Sequence, residues 1–343
     1  MTMTETHMRR EIDEIPDACA RLLDTSGKAI KDAGAALREK DPAFLCTIAR
    51  GSSDHASLFV KYAIELTTGK AVASLGPSLA SIYGVKLSLG QAAVLSVSQS
   101  GQSPDIISLV ESAGQAGALT IALTNTPASP LWEKSQVKID IAAGPELAVA
   151  ATKSYVNSAV AGLAILAEWT GNAELGRAVN DLPGHFRKAL SLDWSPLSGA
   201  LENAESLYVL GRGPALAIAS EAALKFKETA DYHAEAYSSA EVLHGPVALV
   251  DRSFPVLALA ARDAAEDSVS TIAENIACRG APTFLTSDRA ETSTRLPFVA
   301  TGHPITDALC LIVPFYGFVE ALSRRRGYDP DRPAALSKVT KTK

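Results

Sequence analysis

The chain repeats itself, and this constrains its fold more than any other feature. FLCTIARGSSDHASLFVKYAIE, from Phe44, and SLYVLGRGPALAIASEAALKFKE, from Ser206, share an apolar strand, an Arg-Gly turn and a helical pattern. Gly51 and Gly213 lie 162 positions apart. The same offset sets AAVLSVSQSGQSPDIISLV over FPVLALAARDAAEDSVSTI, with Ser98 over Ala260 and Asp105 over Asp267. It also brings Thr124, at the end of one apolar segment, onto Thr286. Three elements in one register imply two copies of a single unit, about 44–170 and 206–330. Short apolar runs such as Phe44–Ala49, Val94–Val97 and Thr120–Leu123 alternate with helical patterns, which predicts right-handed βαβ units and mostly parallel sheets flanked by helices. Ligands of such sheets gather where strands hand over to helices, so the turns are the candidate sites. Ahead of the first copy, Met8–Lys40 reads as helical with a break near Ser26-Gly27.

Bulk properties narrow the function classes. The 343 residues suit two domains, and 47% hydrophobic with 20% charged residues is ordinary for a packed protein. A net charge of −6 argues against nucleic acid as a partner but leaves room for a small phosphorylated ligand in a locally positive pocket. No apolar run in the sequence reaches the roughly 18 residues of a membrane span, and the opening MTMTETHMRREIDEIP has no hydrophobic signal core. Cys19, Cys46, Cys278 and Cys310 are widely spaced without a CxxC pair, so all four are expected as buried free thiols in a cytoplasmic protein.

The two copies diverge where chemistry would sit. Copy one has Ser98-Gln99-Ser100-Gly101-Gln102-Ser103-Pro104. Pro104 suits the first position of a helix and Ser103 its N-cap. Hydroxyls, a glycine and free N–H groups at a helix start make a phosphate cradle, although a polar turn with capping serines has the same composition. Copy two has Ala260-Ala261-Arg262-Asp263 there. In the first helix of each copy the asymmetry reverses. Glu221, Lys225 and Glu228 share one helix face in copy two, where copy one has Ala63 and Leu66 opposite Lys225 and Glu228. Such a stripe is ordinarily a solvated face. Downstream, His244 precedes Gly245-Pro246 and is expected on a loop, where beside a carboxylate it could serve as an acid/base group. His233 is expected to pack or hydrogen-bond, and no histidine pair has zinc spacing, so no metal is expected.

At these residues the chain resembles the isomerase half of glucosamine-6-phosphate synthases, built from two sugar-isomerase (SIS) domains. ALKFKETADYHAEAYSSAEVLHGPVALV resembles that half's signature, SQSGQSPD its phosphate loop and ARGSSDHA its first sugar-contacting turn. AAGPELAVAATKSY resembles the loop leading into the last helix of the first domain, PAALSKVT the carboxyl-terminal tail, and HMRREIDEIP the start of the half. The resemblance covers Met8 to about Thr340. It implies an α/β fold of two tandem SIS domains: a helical segment 1–43, a first domain 44–171, a helical linker 172–205, a second domain 206–330 and a closing tail 331–343.

The resemblance also implies roles. Ser98, Gln99, Ser100 and Ser103 would hold a phosphate, and Ser52, Ser53, Val149 and Ala151 would contact the sugar. Glu228 would move a proton between C1 and C2, and Lys225 would stabilise charge developing on oxygen. His244 would assist ring opening from the neighbouring subunit of a homodimer, and Lys338 would close over the substrate. No cofactor is implied, because the substrate's own carbonyl is the electron sink. The partner is an amino sugar phosphate, with neither nucleic acid nor membrane.

Two departures bear on the reaction. The sequence starts a few residues before the isomerase half and Thr2 follows Met1, so ammonia release from glutamine is not expected. Ala151 stands where the synthases usually have serine, which resembles the stand-alone deaminase branch. The expectation is therefore deamination of glucosamine 6-phosphate to fructose 6-phosphate and ammonia. Alternatives are a deglycase of fructosamine 6-phosphates, a galactosamine-6-phosphate deaminase/isomerase, or a non-catalytic sugar-phosphate sensor.

Overall fold

A computed structural model describes residues 5–202 and 204–338. It contains ten strands: β1 Phe44–Ile48, β2 Val72–Ser74, β3 Ala92–Ser98, β4 Leu119–Thr124, β5 Val137–Asp140, β6 Ser206–Gly211, β7 His233–Ser238, β8 Val256–Ala258, β9 Thr283–Leu285 and β10 Thr294–Arg295. The helices are α1 His7–Asp13, α2 Ile15–Thr25, α3 Gly27–Lys40, α4 Ser52–Thr68, α5 Ser78–Ser81, α6 Pro104–Gln115, α7 Pro130–Lys134, α8 Lys153–Thr170, α9 Ala173–Ala189, α10 Pro196–Leu201, α11 Pro214–Ala230, α12 Glu266–Ala277, α13 Pro304–Cys310 and α14 Ile312–Arg325. The expected break at Ser26-Gly27 separates α2 from α3.

Compactness divides the chain into two units. The first comprises Asp17–Glu146, Lys153–Asn180 and Ser337–Lys343, and the second comprises Met1–Pro16, Leu147–Thr152 and Asp181–Leu336. Each holds one five-stranded sheet, ordered β2-β1-β3-β4-β5 in the first and β7-β6-β8-β9-β10 in the second. Every pairing is parallel. The 162-residue register of the sequence reappears in three dimensions. Helix α4 shifted by that offset gives the bounds of α11, and α6 shifted likewise gives those of α12.

The strand faces explain the apolar runs. In the first unit Cys46, Ile48 and Val94 join Ile106, Leu109 and Val110 of α6 in one core. The alternate residues Leu45, Ala93 and Leu95 face Val60 and Ile64 of α4 and Ile165 of α8 on the other side. A strand covered by helices on both faces has no polar side, which is why these runs lack alternation. The second unit builds the matching core from Tyr208, Leu210, Val256 and Ala258 with Val269, Ala273 and Ile276 of α12.

Two features depart from the sequence expectations. Cys19, Cys46 and Cys310 are buried, but Cys278 is exposed, because it caps the end of α12 beyond the helix's buried stripe. The continuous helical stretch Pro304–Arg325 is long and apolar enough by length and composition to cross a membrane, although 89% of its apolar window is buried in the protein. Its hydrophobicity is that of a core helix.

The handover from β1 to α4 and from β6 to α11 depends on backbone that side chains disfavour. Gly51 has φ 56° and ψ −134°, and Gly213 has φ 59° and ψ −136°. Nothing lies within 4 Å of a Cβ added at either position, so the constraint is torsional rather than steric crowding from neighbours. Gly51→Ala and Gly213→Ala are each expected to lower stability by about 1–3 kcal/mol, read as a fall in the urea midpoint with an unchanged slope.

Candidate active site

In the first unit the serine-rich turn joins β3 to α6. Ser98 is buried and its Oγ accepts from the Gly101 N–H at 3.1 Å, while Ser100 Oγ accepts from Gln102 N–H at 3.3 Å. The Gln99 carbonyl receives the hydroxyls of Thr124 at 3.4 Å and Thr126 at 3.2 Å and the Asn125 N–H at 3.1 Å, so the turn rests on the end of β4. Gly101 has φ 61°, and a Cβ there would lie 2.1 Å from Ser129 Oγ; any other residue would strain the backbone and push the Ser129 side chain aside. Pro104 and Ser103 take the expected N1 and N-cap positions of α6, but the Ser103 side chain makes no capping bond. Its hydroxyl is therefore not committed to the helix, and the turn combines hydroxyls with the N–H groups of a helix start.

Ser52 and Ser53 sit half-buried in the first turn of α4, next to this site along the sheet because β1 pairs with β3. Arg50 lies just before them. Its Nε and Nη2 donate to Asp105 Oδ2 at 2.8 and 2.5 Å, tying the β1–α4 turn to the start of α6. Burial raises the Asp54 carboxyl above its ordinary range, opposed by His55, Ser74 and Arg50. Lys338 is the last described residue of the tail, and residues 339–343 lie outside the described structure. Its Nζ is 3.2 Å from Oε2 of Glu146, whose side chain is fully buried. Glu146 also accepts from the Ser154 N–H at 3.0 Å and hydroxyl at 2.6 Å.

In the second unit the charged stripe of α11 is not a solvated face. The side chains of Glu221 and Lys225 are fully buried, and Glu228 is 21% exposed. Lys225 Nζ lies 3.1 Å from Glu221 Oε1 and makes a shorter contact with Glu228 Oε2. The Tyr316 hydroxyl from α14 donates to Glu221 Oε1 at 3.1 Å. Burial alone would lower the lysine pKa, but Glu221 and Glu228 reverse this and raise it above 10.5. The cluster thus keeps an ammonium in the core with one carboxylate at the surface end. Glu228 lines a cleft of about 710 Å³ whose other wall includes Gly327, Tyr328, Arg332 and Leu336.

His244 is not on an irregular loop. It closes a single 3-10 turn, Glu241–His244, and is exposed. The turn ends there because Gly245 has φ 140°. His233 starts β7 and its Nδ1 lies 2.7 Å from Ser206 Oγ. Val149 and Ala151 lie half-buried in the 147–152 segment. The Val149 N–H donates to the Asp331 carbonyl at 3.2 Å, and the Asp331 carboxylate accepts from His7 and Met8 N–H groups at 2.7 Å. Glu11 holds the same segment by accepting from Leu147 and Ala148.

Within the first unit, then, Ser98, Gln99, Ser100, Ser103, Ser52 and Ser53 occupy neighbouring strand ends, and Lys338 is held by Glu146. Within the second, Lys225 and Glu228 form one cluster, while His244 and the Val149–Ala151 segment lie on other elements. Sequence reasoning missed Arg50–Asp105, Glu146, Glu11, Tyr316 and Asp331. Only the Arg50–Asp105 pair had a signal, since both residues fall in the repeated turns.

Removing the ammonium from this cluster leaves buried carboxylate charge unpaired. Lys225→Met is expected to lose about 3–5 kcal/mol of stability at pH 7, measured by urea unfolding. Because the folded lysine pKa is raised, its contribution is complete below the ordinary lysine value and is lost as pH rises through the folded value. The gap between wild type and Lys225→Met should therefore narrow only above pH 10.5.

Comparison with known proteins agrees with this architecture. The SIS domain pattern matches residues 40–167 and 200–294. The chain is 28% identical over 350 aligned residues to glutamine–fructose-6-phosphate aminotransferase (isomerizing) of Streptococcus pneumoniae strain R6, an alignment covering 97% of this chain and 58% of that protein. A crystal structure from Silicibacter pomeroyi DSS-3, provisionally named a phosphosugar isomerase, superposes with TM-score 0.93 at 53% identity over 95% of this chain and all of that one. The C-terminal domain of glucosamine-fructose-6-phosphate aminotransferase from Francisella tularensis superposes with TM-score 0.87 at 26% identity, covering 97% of this chain and 99% of that domain. The chain spans little more than half of its curated relative. With two parallel five-stranded sheets of matching strand order, and with the SIS pattern matched in both, the chain belongs to the SIS-domain family.

Proposed function

We propose that this protein catalyses the isomerising deamination of glucosamine 6-phosphate, giving fructose 6-phosphate and ammonia. One observation carries the reading: Glu228 stands at the edge of a cleft, ion-paired to a buried lysine that Glu221 also balances. A buried ammonium flanked by two carboxylates is costly to keep and adds little packing, so a catalytic use accounts for it better than a purely structural one. The same cluster favours an enzyme over a ligand-binding sensor.

The chemistry needs only these residue types. Opening of the sugar ring exposes the C1 aldehyde, with His244 as the proton carrier. Glu228 takes the C2 proton, the electron pair forms the C1–C2 double bond of an enolamine, and Lys225 balances charge on O1. Return of the proton to C1 leaves an imine at C2. Water adds there, the C–N bond breaks, and ammonia leaves as the C2 ketone forms. The Ser98–Ser103 turn and the Ser52–Ser53 helix start would take the phosphate and the sugar hydroxyls. Lys338 would close on the substrate, and Val149 and Ala151 would border the sugar. His244 is exposed, and Leu243 and Leu249 beside it are also exposed, which supports a homodimer in which each histidine serves its partner. A cytoplasmic location is part of the same proposal.

Ammonia release from glucosamine 6-phosphate, coupled to fructose 6-phosphate detection, tests the reading. Wild-type turnover is expected, with kcat reduced about 10²–10⁴-fold in Glu228→Gln. Turnover that survives Glu228→Gln would remove the carboxylate from its role. A wild type inert on this substrate but active on galactosamine 6-phosphate or a fructosamine 6-phosphate would overturn the gluco assignment.

A further inference from the structure

We propose that Arg50 is a phosphate-binding residue of the first unit, reaching across the crevice between β1 and β3 to supply the positive charge that the serine turn lacks. This rests on the reading that the Ser98–Ser103 turn takes a phosphate. That turn, from Ser98 to Asp105, contains no basic residue. Arg50 follows the adjacent strand, since β1 and β3 pair in parallel through Ile48 and Ser96. The helices after these strands leave on opposite sides of the sheet, as the separate packing of α4 and α6 shows. Such a divergence opens a crevice at the strand ends, where ligands of this sheet type bind.

The guanidinium spans that crevice in a fixed direction. Nε and Nη2 both hold Asp105 Oδ2, on a carboxylate that is itself fully buried, while the arginine side chain is 46% exposed. Nη1 has no hydrogen-bond partner among the described residues. The buried anion therefore anchors the fork from behind and leaves its remaining donors for a ligand. Guanidinium groups suit phosphate because several N–H donors meet several oxygens at once.

The second copy lacks this arrangement. Arg212, the counterpart of Arg50, donates instead to Ser268 Oγ at 2.8 Å, and Asp267, the counterpart of Asp105, pairs with Arg289 at 2.8 Å. There Arg262, at the position of Ser100, is committed within the protein: it donates to the carbonyl oxygens of Ala260 and Thr286, just after β8 and β9, and stacks 3.8 Å from the centre of the Phe298 ring. Of the two copies, the one with the serine turn joins its two turns through an arginine anchored on a fully buried carboxylate, whereas Asp267 of the other is largely exposed.

Direct binding of inorganic phosphate and fructose 6-phosphate, by calorimetry, tests Arg50 independently of any deaminase activity. Arg50→Gln is expected to weaken both ligands at least tenfold, and Arg50→Lys to retain part of the loss because it keeps the charge but not the fork. In wild type, fructose 6-phosphate should bind more tightly as its dianion forms near pH 6, and this gain should shrink in Arg50→Gln, which a merely structural residue would not cause. Ser100→Ala reports on the turn itself. Weaker binding in Ser100→Ala together with unchanged affinity and pH dependence in Arg50→Gln would overturn the proposal and leave the phosphate turn standing. A wild type that binds neither ligand would overturn both.

Discussion

Setting β1 beside β3 in parallel, with the helices that follow them on opposite faces, determines where this protein can do chemistry. Parallel pairing brings all the strand carboxyl ends to one edge, and the reversal of winding between these two strands leaves that edge open. In the first unit the opening is bordered by the Ser98–Ser103 turn, the Ser52–Ser53 helix start and Arg50, and Asp105 fastens one border to the other. The same order recurs in the second unit, so each copy inherits a potential site from topology before any functional side chain is chosen.

What differs between the copies is how each treats that inheritance. The first keeps small hydroxylated residues at the strand end and an arginine held from behind by a buried carboxylate. The second replaces the hydroxyls with alanine and closes the position with Arg262. Its charged cluster lies on α11 instead, where Lys225 is sunk between Glu221 and Glu228. The division is chemically sensible. Anion binding needs exposed donors near a helix start, while a carboxylate base benefits from a nearby cation that solvent cannot screen. One surface serves both demands poorly, and a duplicated unit is free to specialise.

Much of the fold was legible in the residues. The 162-residue offset predicted a repeated α/β unit, and the structural counterparts hold to the residue for α4 with α11 and α6 with α12. The unbroken apolar runs announced strands covered on both faces, as Cys46 and Leu45 show by packing on opposite sides. Legibility was poorer where a residue's environment comes from distant segments. The Glu221–Lys225–Glu228 spacing was visible as a helix face, but that spacing is the same for a solvated stripe and a buried cluster. Tyr316, 95 residues from Glu221, is part of what encloses it. Glu146 looked like a loop residue, and only the arrival of Ser154 and Lys338 reveals it as a buried anchor.

The sequence by itself determined the duplication, the alternation of strand and helix, and the glycines at 51 and 213, because these depend on local patterns and on torsions that only glycine adopts readily. It also determined which copy carries the hydroxyl-rich turn and which carries the Glu221, Lys225 and Glu228 stripe. Tertiary structure alone decided which charged residues are buried and whom they meet. Arg50 finds Asp105, while its counterpart Arg212 finds Ser268, although Asp267 stands at the same sequence separation from Arg212 as Asp105 does from Arg50. The physical reason is that an ion pair's geometry and strength depend on burial and on a few ångströms of placement, set by strand pairing and helix packing over the whole unit.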